Sequence, residues 1–448
     1  MHLRKTIIFF TAALFLASCG SKKDLNNFKR LDAKMNEISE NYVKLVLRIG
    51  QLDSDFVDAY YGPDSLKPDD KLSTRDDSLK VRNECNAETD TLLNKLEALK
   101  HYRADEMLTL RYRFLYKQLL AVKARLFMIS GGTLPFDEES KALYDAVAPA
   151  YGKEHFQEII DKLNKILPGR GSVSKRLEDF RKQFVIPKDK IQAVFNAAIK
   201  ECKKRTLQHI NLPEDESFKI EYVTGKPWSG YNWYKGNYFS VIQVNTDLPI
   251  YIDRAIDLAA HEGYPGHHVY NCLLEEDLVK KRQWDEFTVY PLFSPQSLIA
   301  EGTANYGIHM IFPGDEKIKF EKEVLFPLAG LDSSKADEYD VVLNLVQELS
   351  FAGNEAARNY LDGKWNKNET LDWLEKYSLM PPERAEQRLS FIQKYRSYVI
   401  NYNLGEEIVK NYIIKNGGTI DHPEKRWELF KYILTRPLTP SGLEKPNI

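Results

Sequence analysis

Apolar residues recur along most of the chain at helical spacing. Leu108, Tyr112, Leu115, Leu119, Val122 and Leu126 form one stripe, three or four residues apart. Phe156, Ile159, Ile160, Leu163 and Ile166 form a second, stopped by Pro168-Gly169, and the pattern continues from Ile191 to Ile210. Such stripes are the core-facing sides of helices. The texture changes near Asp215. Ser217 to Val223 alternates and predicts a strand, Gly225-Lys226-Pro227 is a turn signal, and Trp228 to Tyr234 is aromatic-rich around Gly230, a loop or irregular strand. Tyr238 to Val244 is β-branched and aromatic and predicts another strand, either internal or an edge open to an extended peptide. Helical spacing resumes near Ile250 and lasts almost to the end, with breaks at Pro381-Pro382 and Gly417-Gly418. The expected fold class is mainly α, a large helical body with a small antiparallel β-sheet in the middle of the chain.

The first residues read differently. Arg4 and Lys5 precede an apolar run from Thr6 to Ala17, shorter than the roughly 20 residues that span a bilayer. This is a secretory signal pattern. It ends in Leu16-Ala17-Ser18-Cys19-Gly20, where small residues before a cysteine resemble the lipobox of bacterial lipoproteins. The expected organisation is a signal peptide over 1–18, lipidation of Cys19, a polar tether over 19–30 and one helical domain over 31–448. Acyl chains on Cys19 would hold the protein to a membrane of the bacterial cell envelope, on a periplasmic or surface face, without spanning it.

Composition narrows the function classes. Hydrophobic residues are 43% and charged residues 29%, ordinary values for a folded protein. The net charge is −2, so nothing electrostatic favours nucleic acid as a partner. Besides Cys19 there are three widely spaced cysteines, Cys85, Cys202 and Cys272, with no C-x-x-C pair. A thiolate metal site is therefore not expected; one disulfide is possible after export, and burial as small apolar side chains is favoured.

The chemistry concentrates in His261-Glu262-Gly263-Tyr264-Pro265-Gly266-His267-His268, where three of the nine histidines fall within eight residues. A zinc helix commonly carries histidines at i and i+4 with a glutamate between as general base. Here i+4 is Pro265. On an ideal helix His267 would point about 120° away from His261, and His268 would lie about 10 Å further along the axis. Pro265 and Gly266 supply a break that can swing His267 back, and a different bulge could present His268 instead. Zinc needs a third protein ligand, and Glu301 in Ala300-Glu301-Gly302-Thr303-Ala304-Asn305-Tyr306 is the candidate, near the start of a helix predicted from Ser297 to Ile311. The expected set is thus Zn²⁺ on His261, His267 and Glu301, with Glu262 as general base on water. Asp257, one turn before His261, is either an orienting partner or a solvated acid.

These motifs resemble those of the bacterial domain-of-unknown-function 885 family, whose signatures are H-E-x-x-P-G-H, then E-G-W-A-x-Y-x-E, then a late Y-x-x-G. The chain has His261-Glu262-Gly263-Tyr264-Pro265-Gly266-His267, then Glu301 to Tyr306, then Tyr402-Asn403-Leu404-Gly405. The resemblance covers roughly residues 30 to 440. Thr303 stands in place of the family's Trp, Ile308 in place of a frequent second Glu, and Arg396-Ser397-Tyr398-Val399 in place of P-G-Q-A. The resemblance implies a helical fold like that of zinc carboxypeptidases and oligopeptidases, with a long groove. It also implies a zinc peptidase that is often a lipoprotein. Tyr402 matches the family's late tyrosine and is the candidate donor to an oxyanion, with packing as its alternative role.

The functional expectation is a zinc-dependent hydrolase acting on peptide substrates. The alternative is a surface lipoprotein that binds peptides or a protein partner without turnover. Hydrolysis of another amide or an ester would use the same residues.

Overall fold

The computed structural model describes residues 22–445 except 70, 71, 73, 103 and 227. The signal peptide and Cys19 lie outside the described residues. The architecture is mainly α, as the apolar spacing predicts. The first helix, α1 (Lys22–Leu52), already includes Lys22 to Arg30, so that part of the expected tether is helical. The reason is periodic: Phe28, Leu31, Met35 and Ile38 continue one apolar stripe, and that stripe packs into the core.

The predicted stripes become α3 (Glu106–Ile129), α5 (Lys153–Ile166) and α7 (Ile191–Leu207), after α2 (Arg75–Glu97) and with α4 (Phe136–Tyr144) and α6 (Val173–Arg181) between them. Cys85, Cys202 and Cys272 are free and buried, so they act as apolar side chains. A buried ion pair ties this first half to the second. Arg111 of α3 forks onto Glu286, with Nε–Oε1 2.6 Å and Nη2–Oε2 2.9 Å. Ser39 of α1 donates to the same carboxylate at 2.5 Å. Glu286 immediately precedes the short strand β5 (Val289–Pro291), which pairs antiparallel with β1 (Val57–Tyr60).

The central sheet contains β2 (Ser217–Val223), β3 (Gly230–Tyr234) and β4 (Phe239–Asn245), in the order β2-β4-β3. It is mixed, where an antiparallel sheet was expected: β3 pairs antiparallel with β4, but β2 pairs parallel with it. The chain crosses between β2 and β3 over the end of the sheet, which leaves a gap that β4 then fills. Tyr238 to Val244 is therefore the internal strand, and β2 and β3 are the edges.

After the sheet come α8 (Asp253–Leu258), α9 (His267–Leu274) and α10 (Pro295–Ile311). α10 is buried along nearly its whole length and packs against the helix Ile400–Lys415. The two approach through glycine. A Cβ added at Gly302 would lie 2.3 Å from the carbonyl oxygen of Gly405, and one added at Gly405 would lie 2.7 Å from that of Leu298. Only hydrogen fits between these backbones. The second and third sequence motifs thus meet face to face.

Gly302→Ala and Gly405→Ala should each push the helices apart. Overpacking of this kind typically costs about 1–3 kcal/mol. Urea denaturation of each variant checks it; wild-type stability in both would mean that the crossing is not this tight.

Candidate metal centre

The segment that carries the first motif departs from a regular helix. α8 runs into a π-helical turn over Ala259–Gly263, and α9 starts afresh at His267. Wide turns of this kind often occur at functional sites because they re-aim side chains. Tyr264 N–H bonds to Ala259 O at 3.0 Å and Gly266 N–H to Ala260 O at 2.9 Å, closing the break. A Cβ at Gly266 would sit 1.9 Å from His261 O, so this return of the chain requires glycine. The result brings His267 back to His261, with their Nε2 atoms 3.1 Å apart.

Glu301 completes the cluster from α10. Its Oε2 lies 3.3 Å from His261 Nε2 and 3.7 Å from His267 Nε2. The three donor atoms thus form a triangle with sides of 3.1, 3.3 and 3.7 Å. Tetrahedral zinc with bonds of about 2.0–2.1 Å separates its ligands by roughly 3.3 Å. Glu301 Oε2 is buried and has no hydrogen-bond partner, although a buried carboxylate oxygen ordinarily finds one. Two imidazoles and an otherwise unsatisfied carboxylate oxygen fit a small divalent cation. Among the described residues this is the one group of three such donors placed to hold a metal.

His268, the rival to His267, points elsewhere. It is fully buried, with Nδ1 2.9 Å from Ser240 Oγ and Nε2 2.9 Å from Glu216 Oε2. Both ring nitrogens are thereby occupied in holding α9 to the sheet.

The surrounding residues fix the donors. Asn305, one turn after Glu301, accepts from His261 Nδ1 with its Oδ1 at 2.8 Å and donates to Tyr402 O at 2.9 Å. Tyr398 donates its hydroxyl to Glu301 Oε1 at 2.8 Å, which leaves Oε2 towards the histidines. Asp257 does not orient His261; it pairs with Arg254 at 3.2 Å, because α8 turns it away from the cluster. Thr303 turns its hydroxyl onto its own helix, at 2.8 Å from Ile299 O.

Glu262 follows His261 directly and is 5% exposed. The edge strand β3 borders it: Asn232 donates to Glu262 O at 2.7 Å, and a Cβ at Gly230 would lie 3.0 Å from Glu262 Oε1. Tyr402 is half-buried and stacks edge-on with Tyr398, their rings 5.8 Å apart. Burial, with the charge of Glu301 next, holds its phenol well above its usual range, so it remains a protonated donor.

Sequence reasoning missed Asn305, Tyr398 and Asp58. Asn305 stands at i+4 from Glu301, on the same helical face, and that spacing was a usable signal. Asp58 on β1 accepts a short hydrogen bond from Tyr231 on β3. Burial pushes its carboxyl up to about 6, against the Tyr231 hydrogen bond and His267, and Glu301 and Glu262 add to the rise. Its only signal was an acid in the aromatic stretch Phe56 to Tyr61.

No family model and no curated protein sequence matches the chain. Solved structures do resemble it. A protein described as "the putative lipoprotein from Colwellia psychrerythraea" superposes with a TM-score of 0.52 at 13% identity, over 82% of this chain. This chain spans 65% of the length of that one. Another, from Shewanella oneidensis and described as "a putative lipoprotein of unknown function", gives a TM-score of 0.43 at 11% identity, over 94% of this chain and 93% of that one. The Colwellia likeness is one of fold.

The cluster carries a pH signature in metal-free protein. Burial opposes charge on His261, but the facing carboxylate of Glu301 and the charge of Glu262 outweigh it and push the imidazole up to about 9. Burial likewise opposes charge on Glu301, yet the imidazoles of His261 and His267 facing it hold the carboxyl well below its usual range. A raised histidine stabilises the fold fully below its ordinary 6.5 and loses that contribution as pH climbs through about 9. A depressed carboxyl stabilises above its ordinary 4.5. Chelator-treated protein should gain most from the pair between about pH 4.5 and 6.5, and its urea midpoint should fall from pH 6.5 to 9. Glu301→Gln should flatten that fall, and an equally steep profile in the variant would refute the pairing.

Proposed function

We propose that the chain is a zinc-dependent hydrolase that cleaves peptide bonds. The observation that carries the reading is the triangle of half-buried His261 and His267 with buried Glu301, one carboxylate oxygen left unsatisfied, beside the carboxylate of Glu262. The motif resemblance to the domain-of-unknown-function 885 family points to the same activity. When bound, the metal supplies Lewis acidity and lowers the pKa of water to about 7.

The chain's own residues then divide the work. His261, His267 and Glu301 hold the cation; Asn305 keeps Nε2 of His261 free for it by bonding Nδ1, and Tyr398 fixes the rotamer of Glu301. Glu262 accepts the proton of the attacking water and delivers it to the leaving amine. Tyr402, held protonated, donates its hydroxyl to the oxyanion that develops on the scissile carbonyl. β3 and the aromatic side chains around Tyr231 form one wall of the groove in which the peptide lies.

The two acids have separable phenotypes. Glu262→Gln should keep its metal and its fold yet lose about 10²–10⁴-fold in turnover, the usual worth of a general base. Glu301→Gln should weaken metal binding as well. Metal stoichiometry and digestion of a peptide library are the measurements; near wild-type turnover in Glu262→Gln would sink the mechanism.

We further propose that the protein is a lipoprotein of the bacterial cell envelope, anchored through Cys19. The lipobox-like Leu16-Ala17-Ser18-Cys19 supports this, as does the description of the Colwellia protein. No helix among the described residues is long and apolar enough to cross a membrane. Cys19→Ala should move the protein from the membrane fraction to the soluble one, and mass spectrometry of the wild-type N-terminus should find acyl chains. A variant that stays with membranes, with no acylation in the wild type, would exclude the anchor.

A further inference from the structure

Half-buried Arg388 contrasts with the buried arginines, whose guanidinium groups the chain itself satisfies. Arg111 forks onto Glu286, Arg358 pairs with Glu355 and with Asp137 at 3.0 Å, and Arg426 donates to His309 O at 2.9 Å. Arg388, on the helix Pro382–Tyr395, makes no hydrogen bond or ion pair with any described residue, and its Nε is buried without a partner. Burial lowers its guanidinium pKa from the ordinary value, and the group that counters this is the phenol of Tyr402, not a carboxylate. An unpaired, partly desolvated cation is costly, and chains keep such a group where a ligand supplies the missing charge.

Its position says which ligand. The guanidinium packs over Gly353, where an added Cβ would lie 3.4 Å from Nη2, and beside the Phe391 ring, 5.3 Å from its centroid. Phe391 packs on Tyr402 with centroids 6.4 Å apart, and Tyr402 in turn packs on Tyr398, the donor to Glu301. Tyr402 therefore lies between the metal cluster and Arg388, feeling the charges of Glu301, Arg388 and Glu262 together. A planar guanidinium is suited to a carboxylate, which it can grip with two parallel hydrogen bonds.

We infer that Arg388 anchors a carboxylate on the leaving-group side of the substrate, so that the enzyme acts at the C-terminal end of a peptide. This rests on the peptidase reading above. The shared chemistry is a carboxylate, which can be the main-chain terminus or the side chain of a terminal acidic residue.

Binding without turnover separates the inference from the reading beneath it. Calorimetry on the full chain carrying Glu262→Gln would use a panel of N-acetyl tripeptides in three forms: free acid, amide, and amide with glutamate at the last position. The free acids should bind about 10–100-fold tighter than the amides, the usual worth of a charge-assisted pair. Arg388→Ala should abolish that preference while leaving amide binding unchanged, which also shows that the variant folds. Arg388→Lys should restore part of it. A preference for the amidated glutamate peptides that depends on Arg388 would assign the carboxylate to the side chain. Equal binding of acid and amide, no binding of either, or a preference that survives Arg388→Ala overturns the inference. Protein with Glu262 intact, incubated with the same panel, tests the other arm. Arg388-dependent binding with no cleavage keeps the anchor and sinks the peptidase, whereas cleavage indifferent to the terminal carboxylate does the reverse.

Discussion

The contact on which the site depends is the near-touching of two helix backbones at Gly302 and Gly405. Glu301 immediately precedes the first glycine, and Tyr402 stands one turn before the second. With a side chain at either glycine the helices would separate, and Glu301 would withdraw from the histidines by a comparable distance. Donor triangles tolerate little of that, because metal–ligand bonds are short and directional. The same crossing lets Asn305 reach the backbone of Tyr402, so the partner of His261 is itself held from the opposite helix. One steric constraint therefore sets the third candidate donor, the residue that orients His261 and the candidate oxyanion donor.

The second constraint is local. A histidine six positions along a regular helix faces about 120° away, so the i, i+6 pair cannot share a ligand without a change of backbone. The π turn over Ala259–Gly263 and the return at Gly266 make that change. His268 then becomes the lock. Held by Ser240 from β4 and Glu216 from the approach to β2, it pins the new helix to the sheet and fixes the phase in which His267 emerges. Adjacent histidines thus have opposite duties, one open to a cation and one with both nitrogens spent.

Much of this was readable in the residues. The helical body followed from apolar spacing, and the three donors followed from ligand type plus a break that could redirect His267. What could not be read was set by contacts distant in sequence. Nothing near Tyr238 says that β4 inserts between β2 and β3, because that order depends on where the chain re-enters the sheet. Lys22 to Arg30 looked polar enough for a tether, but Phe28 extends the α1 stripe. Tyr398 was visible only as one of several aromatic residues beside Tyr402; its bond to Glu301 crosses 97 positions. Asp58 reaches Tyr231 from a strand that pairs with β5, itself held in place through Arg111 and Glu286. A single sequence gives no sign of that route.

The two glutamates illustrate how environment divides like chemistry. Glu301 is enclosed between helices, with one oxygen held by Tyr398 and the other confronting two imidazoles, and its carboxyl is held ionised far below the usual range. Such a group is a poor proton carrier, since protonation would cost the ion pair that keeps it buried. Glu262 has no such lock on its carboxylate: its backbone oxygen, not its side chain, takes the bond from Asn232. The side chain is left beside a glycine of the edge strand, where the absence of a Cβ at Gly230 keeps room for it. The fold therefore separates the candidate ligand from the candidate base by what each carboxylate touches.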